Sequence, residues 1–206
     1  LGTLESMSAR NDWAFSKAIS LKKGTEYTVS YWLKAPGGNT PVDAFMTTVE
    51  LKVGTAQSAD AMTTSLGKTT KRYADWEQVT YTFTPTEDSD YYFGFNIVTQ
   101  MHRGGALGID DFQITGDEAE GGETGGGTVD PGDDDDKETV ELPYSQSFDN
   151  ENKDYDGTSF LPKGWLATGS SSFVTANIGS MPARDGVYYL VAPESSVARD
   201  DRAYTP

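Results

Sequence analysis

The chain has 206 residues, with 32 acidic and 16 basic side chains, one histidine and no cysteine. A formal charge of -16 argues against nucleic-acid binding through a basic face and against anionic membrane surfaces, and no apolar run is long enough for membrane insertion. Disulfide scaffolds, zinc ribbons and thiol nucleophiles are excluded, so a rigid metal site would have to use oxygen ligands.

In chain order, the first clear pattern is strict alternation over residues 27–34, with Tyr27, Val29, Tyr31 and Leu33 on one face and Thr28, Ser30, Trp32 and Lys34 on the other. Phe45, Thr47, Val49, Leu51 and Val53 predict a second strand. Residues 56–66 predict the only short helix, with Ser58 or Asp60 as its cap. Val79, Tyr81 and Phe83 predict a third strand, Tyr91 to Ile97 a fourth, and Leu107 to Thr115 a fifth. Glycine, proline and acidic turn formers separate them. Residues 117–138 hold ten acids, one lysine and almost nothing apolar, which predicts a solvated linker. Asp133 to Lys137 spells DDDDK, the enteropeptidase recognition sequence. Short strand-like runs follow at 142–148, 164–167, 172–176 and 187–191. The fold class expected is an all-β, jelly-roll type sandwich.

An internal repeat qualifies this division. Residues 5–16, ESMSARNDWAFS, match residues 194–205, ESSVARDDRAYT, at an offset of 189. The expected domains are therefore 1–116, the C-terminal part of one sandwich repeat; 117–138, a linker; and 139–206, the N-terminal part of the next. Half a sandwich leaves a greasy sheet face and open strand edges in water. The halves are expected to cover one another, either within the chain or by a swap between chains. The start at Leu1, without a methionine or signal-like segment, reads as an excised or mature piece.

Catalytic chemistry has few candidates. His102 is the single histidine and reads as a surface or structural residue. No Gly-x-Ser-x-Gly, HExxH or phosphate-cradling motif occurs. Calcium is the better-supported chemistry, since Asp110 and Asp111 adjoin in a predicted strand and must point to opposite faces. Asp110 would share the face of Phe112 and Ile114, a costly place for a carboxylate unless a cation or hydrogen bonds compensate it. Asp149 and Glu151 would come alongside if the first and last strands of the sandwich pair, adding hard oxygen ligands. A solvated end or an arginine partner for Asp110 is the competing reading. Asn152, Asp154, Asp156 and Gly157 match the first half of a calcium loop, but Lys163 stands where an EF-hand needs glutamate, so a solvated turn is preferred. Asp12 and Asp201, beside Arg10 and Arg199, read as local ion pairs or turn hydrogen bonds. For sugars, Trp32, Trp76 and Tyr92 alternate away from apolar neighbours and are candidate ligand-binding platforms, with a core role competing.

ELPYSQSFDN followed by LPKGW resembles the opening of the choice-of-anchor J or cleaved-adhesin domain found in gingipain adhesin regions. The segments ARNDWAFSKAISLKKGTEYTVSYWLKA, VELKVGTAQSADAMTTSL, WEQVTYTFTPTEDSDYYFGFN and LGIDDFQI resemble its second half. The resemblance implies a MAM-like jelly roll on a secreted or cell-surface bacterial protein. It further implies bound calcium, adhesion to a host protein or glycan, and no catalysis. This chain departs from the family in the order of its halves, and Arg202 stands where the first copy has Trp13. The alternative reading is a carbohydrate-binding module appended to a glycan-degrading enzyme.

Overall fold

A computed structural model describes residues 10–35, 47–71, 75–99, 107–116, 142–149, 161–169, 174–176, 183–184, 186 and 189–192. Among the described residues, twelve strands form two antiparallel sheets packed face to face. The first sheet has the order β10 (Leu166–Thr168), β1 (Arg10–Phe15), β7 (Ser89–Thr99), β4 (Thr47–Gly54) and β5 (Thr64–Lys71), with β2 (Ile19–Leu21) also pairing β7. The second has the order β11 (Val174–Ala176), β12 (Tyr189–Ala192), β8 (Leu107–Gly116), β3 (Tyr27–Lys34) and β6 (Glu77–Phe83), with β9 (Tyr144–Gln146) also pairing β8.

Alternation decides what the sheets enclose. Tyr27, Val29, Tyr31 and Leu33 of β3 are buried and meet Val49, Leu51 and Val53 of β4 and Phe93, Phe95 and Ile97 of β7 in one core. The rings pack mostly edge to face, with Tyr31 at 5.1 Å from Phe95 and Phe95 at 5.5 Å from Phe112. The expected helix over 56–66 is instead a single 3-10 turn, Ala59–Ala61, whose Ala61 N–H is capped by the Ser58 hydroxyl. From Thr64 onward the chain is strand, because β4 offers an open edge and pairs it from Thr47↔Lys71 to Val53↔Thr64.

Strands from both sides of residues 117–138 share both sheets. β10 pairs β1 through Trp13↔Thr168, β12 pairs β8 through Leu190↔Ile109, and β9 pairs β8 through Phe112↔Gln146. Trp165 joins them at the centre: its ring lies 5.9 Å from Phe112, 5.3 Å from Phe148 and 6.5 Å from Phe95, and its indole N–H donates to the Tyr144 hydroxyl at 3.2 Å. Residues 117–138, His102, Asn152 to Gly157 and the second repeat copy at 194–205 lie outside the described residues.

Candidate functional site

Because the core takes one face of each sheet, the other two faces are left for ligands. On the outer face of the second sheet lie Trp32 and Trp76. The Arg184 guanidinium sits over the Trp32 ring at 4.1 Å, while Trp76 packs edge-on against Tyr189 at 5.4 Å, with the Lys34 ammonium 5.9 Å from its centre. Tyr92 lies on the outer face of the opposite sheet, against Trp13, Phe15 and Met62. The three expected platforms therefore do not line one surface.

The acidic residues follow from a bulge in β8. Ile109 and Phe112 both face the core, an odd spacing that alternation forbids unless one extra residue is inserted. Pairing with β3 shifts register between Ser30 and Trp32, and Asp111 adopts φ 46°, the left-handed region that a short acidic side chain tolerates. This corrects the expected facing of Asp110: it sits opposite Trp32, not beside Phe112 and Ile114. Asp110 is fully buried, and its two carboxylate oxygens accept the Asp111 N–H at 2.9 Å and the Arg184 N–H at 3.1 Å. The Asp111 carboxylate accepts from the Arg184 guanidinium. Asp149 reaches the same loop through the β8–β9 pairing, and its carboxylate lies so close to Gly186 (φ 63°) that any side chain there would collide with it. Glu151 lies outside the described residues. Among the described residues no three carboxylates or histidines form a group able to hold a metal.

The outer face of the first sheet is different. Thr48 and Glu50 from β4, Lys68 from β5, and Asn96 and Val98 from β7 line an open groove of about 240 Å³. Glu50 and Lys68 form an ion pair across it at 3.5 Å, and the Thr48 and Thr70 hydroxyls share a hydrogen bond of 2.7 Å. Val98 is 61% exposed, so the groove pairs an apolar surface with fixed polar groups. At its side, Asn11 Oδ1 accepts from Asn96 Nδ2 at 2.9 Å and from the Trp13 indole N–H at 3.1 Å. Asn96 also donates to the Asp12 carbonyl at 3.2 Å, which locks its amide in one orientation. Trp13 stacks on Phe15 at 5.3 Å, and the Lys52 ammonium lies 5.8 Å from its ring.

The family model described as a carbohydrate binding domain matches residues 7–100. That span runs from β1 through β7, and so holds every residue of the groove. No curated protein matches the chain. The match shows a ligand-binding module.

The groove residues were within reach of sequence reasoning. Thr48, Glu50 and Lys52 alternate with the buried Val49, Leu51 and Val53, and Asn96 stands between the buried Phe95 and Ile97. The signal was a polar row on a strand whose other row is core, whereas the expectation weighted aromatic residues alone.

Proposed function

We propose that the chain is a non-catalytic carbohydrate-binding module whose ligand lies across the exposed face of the β10-β1-β7-β4-β5 sheet. The observation that carries this reading is the groove at Thr48, Glu50, Lys68, Asn96 and Val98, inside the segment that matches a carbohydrate binding domain. Sugars present hydroxyl rows and apolar ring faces. A held amide, a carboxylate and an ammonium beside an exposed apolar surface answer both. The match favours this reading over adhesion to a host protein. A secreted or cell-surface setting is part of the proposal, since extracellular glycans are the ligand class such a face would meet.

Calcium belongs to the same proposal, at the rim of the other sheet. Asp110 on β8 and Asp149 in the turn after β9 both approach the residues around Arg184 and Gly186, and hard carboxylate oxygens fit a divalent cation. Asp111 is engaged by Arg184 and is assigned the ion pair instead. Calcium there would supply rigidity to the 183–186 loop and no chemistry at the groove.

The deciding experiment is a glycan array followed by titration of the strongest ligand. Glu50→Ala and Asn96→Ala should each weaken binding about tenfold or more, the loss expected when one or two hydrogen bonds to a charged or fixed group disappear. Trp32→Phe, on the opposite sheet, should leave affinity unchanged. Equal losses from Trp32→Phe, or no glycan bound at millimolar concentration, would overturn the assignment.

A further inference from the structure

The polar groups of the groove are not equivalent once their hydrogen bonds are followed. A side-chain amide has two hydrogens to donate, and Asn96 has spent both, on Asn11 Oδ1 at 2.9 Å and on the Asp12 carbonyl at 3.2 Å. What it offers a ligand is its carbonyl oxygen. The Thr48 and Thr70 hydroxyls are tied to each other across the β4–β5 pairing. Glu50, ionised, can only accept. Lys68 is the exception. Its ammonium carries three hydrogens, meets Glu50 at 3.5 Å, and belongs to a side chain that is 64% exposed, against 19% for Glu50. Donors and a positive charge are therefore turned to solvent at this one position.

Aromatic stacking contributes little beside it. Trp13 stands opposite Asn96 in the β1–β7 pairing, but it is only 6% exposed, is stacked on Phe15 and has the Lys52 ammonium 5.8 Å from its ring centre. Charge points the same way as the hydrogen bonds. The chain carries a formal -16, yet the charged side chains beside the groove are two lysines and one glutamate. Lys68 is paired opposite Glu50, and Lys52 is the next residue on the outer row of β4, about 7 Å further along. The acid on the outer row of β7, Asp90, is six residues from Asn96, about 20 Å away, and is held by the Ser20 hydroxyl at 2.6 Å. A local excess of positive charge on one face of an acidic chain is a field for an anionic group.

We propose that the groove takes a glycan bearing a ring carboxylate, a uronic acid residue set among neutral sugars, and that Lys68 is the residue that distinguishes it from the neutral sugar. This rests on the groove being the glycan face. A uronic acid presents one strong anionic acceptor next to hydroxyl donors. The carboxylate meets the Lys68 ammonium in a charge-assisted bond, and neighbouring hydroxyls donate to Glu50 and to Asn96 Oδ1. Lys52 adds positive potential along the strand, and Val98, 61% exposed, lies against the apolar face of the ring. Glu50 limits the site to an isolated negative charge. A densely sulfated chain would also attract the lysines, but it would meet Glu50 and the net charge of the whole molecule.

Matched ligands test it on the whole chain. Oligosaccharides containing glucuronic or galacturonic acid are titrated beside the same compounds with the carboxyl reduced to the alcohol, and beside sulfated analogues. The acid should bind about tenfold or more tightly than its reduced counterpart, the difference one charge-assisted hydrogen bond makes. Lys68→Met keeps the alkyl stem and removes the charge, so acid and alcohol should then bind equally; Lys68→Arg should restore the preference. The melting temperature of Lys68→Met should match that of the unaltered protein, because the side chain is exposed. Raising salt from about 50 to about 500 mM should weaken binding of the acid and leave the alcohol unchanged. Equal affinity for acid and alcohol in the unaltered protein, a preference that survives Lys68→Met, or tighter binding of the sulfated analogues would each overturn the proposal and leave the glycan face in place. Failure to bind any of these compounds or any neutral glycan would overturn the glycan face, and the proposal with it.

Discussion

Among the buried polar groups, the Tyr31 hydroxyl lies beside Tyr81 and Thr69, which bond each other at 2.8 Å, yet it has no hydrogen-bond partner of its own among the described residues. Its ring is needed, since it packs edge to face on Phe95, but its oxygen was taken from water without compensation. Tyr31→Phe keeps the ring and removes that penalty, so we expect it to stabilise the fold by about 1 kcal/mol in urea unfolding. The same burial, reinforced by Tyr81, pushes the Tyr31 ionisation well above its ordinary range. The folded pKa thus exceeds the unfolded value of about 10. As pH rises past about 10 the unfolded chain releases this proton first, so the stabilisation is complete below that pH and is lost above it. Tyr91, raised by its own desolvation and then by Glu87, adds to the same slope. Denaturant midpoints measured from pH 8 to 11 should fall less steeply in Tyr31→Phe than in the unaltered protein; identical profiles would show that Tyr31 does not carry the effect.

At the scale of elements, the β8 bulge shows both what was readable and what was not. Residues 27–34, 47–53 and 79–83 alternate because one row packs toward the core and the other is more open, and alternation predicts them as strands; over 91–97 the alternation is one of residue type, since Gly94 and Asn96 of the second row are buried as well. β1 was invisible for the opposite reason. Trp13 and Phe15 on its outer row are as buried as Ala14 on its inner row, because the Ala59–Ala61 turn brings Met62 over them, so no contrast between rows survives in the sequence. β5, with Leu66 as its one large apolar residue, is a strand by pairing to β4 and not by composition. The bulge escaped too: nothing in LGIDDFQIT says that the extra residue falls between Ile109 and Phe112. The adjacent aspartates lie at the bulge itself, and Asp149 comes near the 183–186 region because β9 pairs β8. Removing the Asp110 side chain leaves the Asp111 and Arg184 N–H groups without their acceptor, so Asp110→Ala should cost about 1–3 kcal/mol even in EDTA. Calcium added to EDTA-treated protein should raise the melting temperature through preferential binding to the folded state, and the rise should vanish in Asp110→Ala and Asp149→Ala. No shift at millimolar calcium in the unaltered chain would remove calcium from the rim and leave the hydrogen-bonding role intact.

For the whole molecule, the question is what holds residues 142–192 to residues 10–116. Three pairings and one aromatic junction do so: β10 on β1, β12 and β9 on β8, and Trp165 among Phe95, Phe112 and Phe148. Apart, the larger piece would expose Phe112 and Ile109, and the smaller would keep four short strands with no partner sheet, a state too poor in burial to persist alone. The covalent link through 117–138 sets the effective concentration of the two pieces. The DDDDK sequence at Asp133 to Lys137 offers a way to cut it after Lys137. The two products should elute together from a sizing column at the volume of the intact protein, with the tryptophan emission of the buried Trp165 unchanged. Their melting temperature should become dependent on concentration, since folding is then a bimolecular association. Trp165→Ala removes a ring packed against three others, at about 3–5 kcal/mol for a large aromatic core residue. The cut Trp165→Ala chain should therefore come apart under conditions where the uncut one stays folded. Fragments that separate without the mutation, each with its own cooperative transition, would mean that the shared sheets are not what holds this sandwich together.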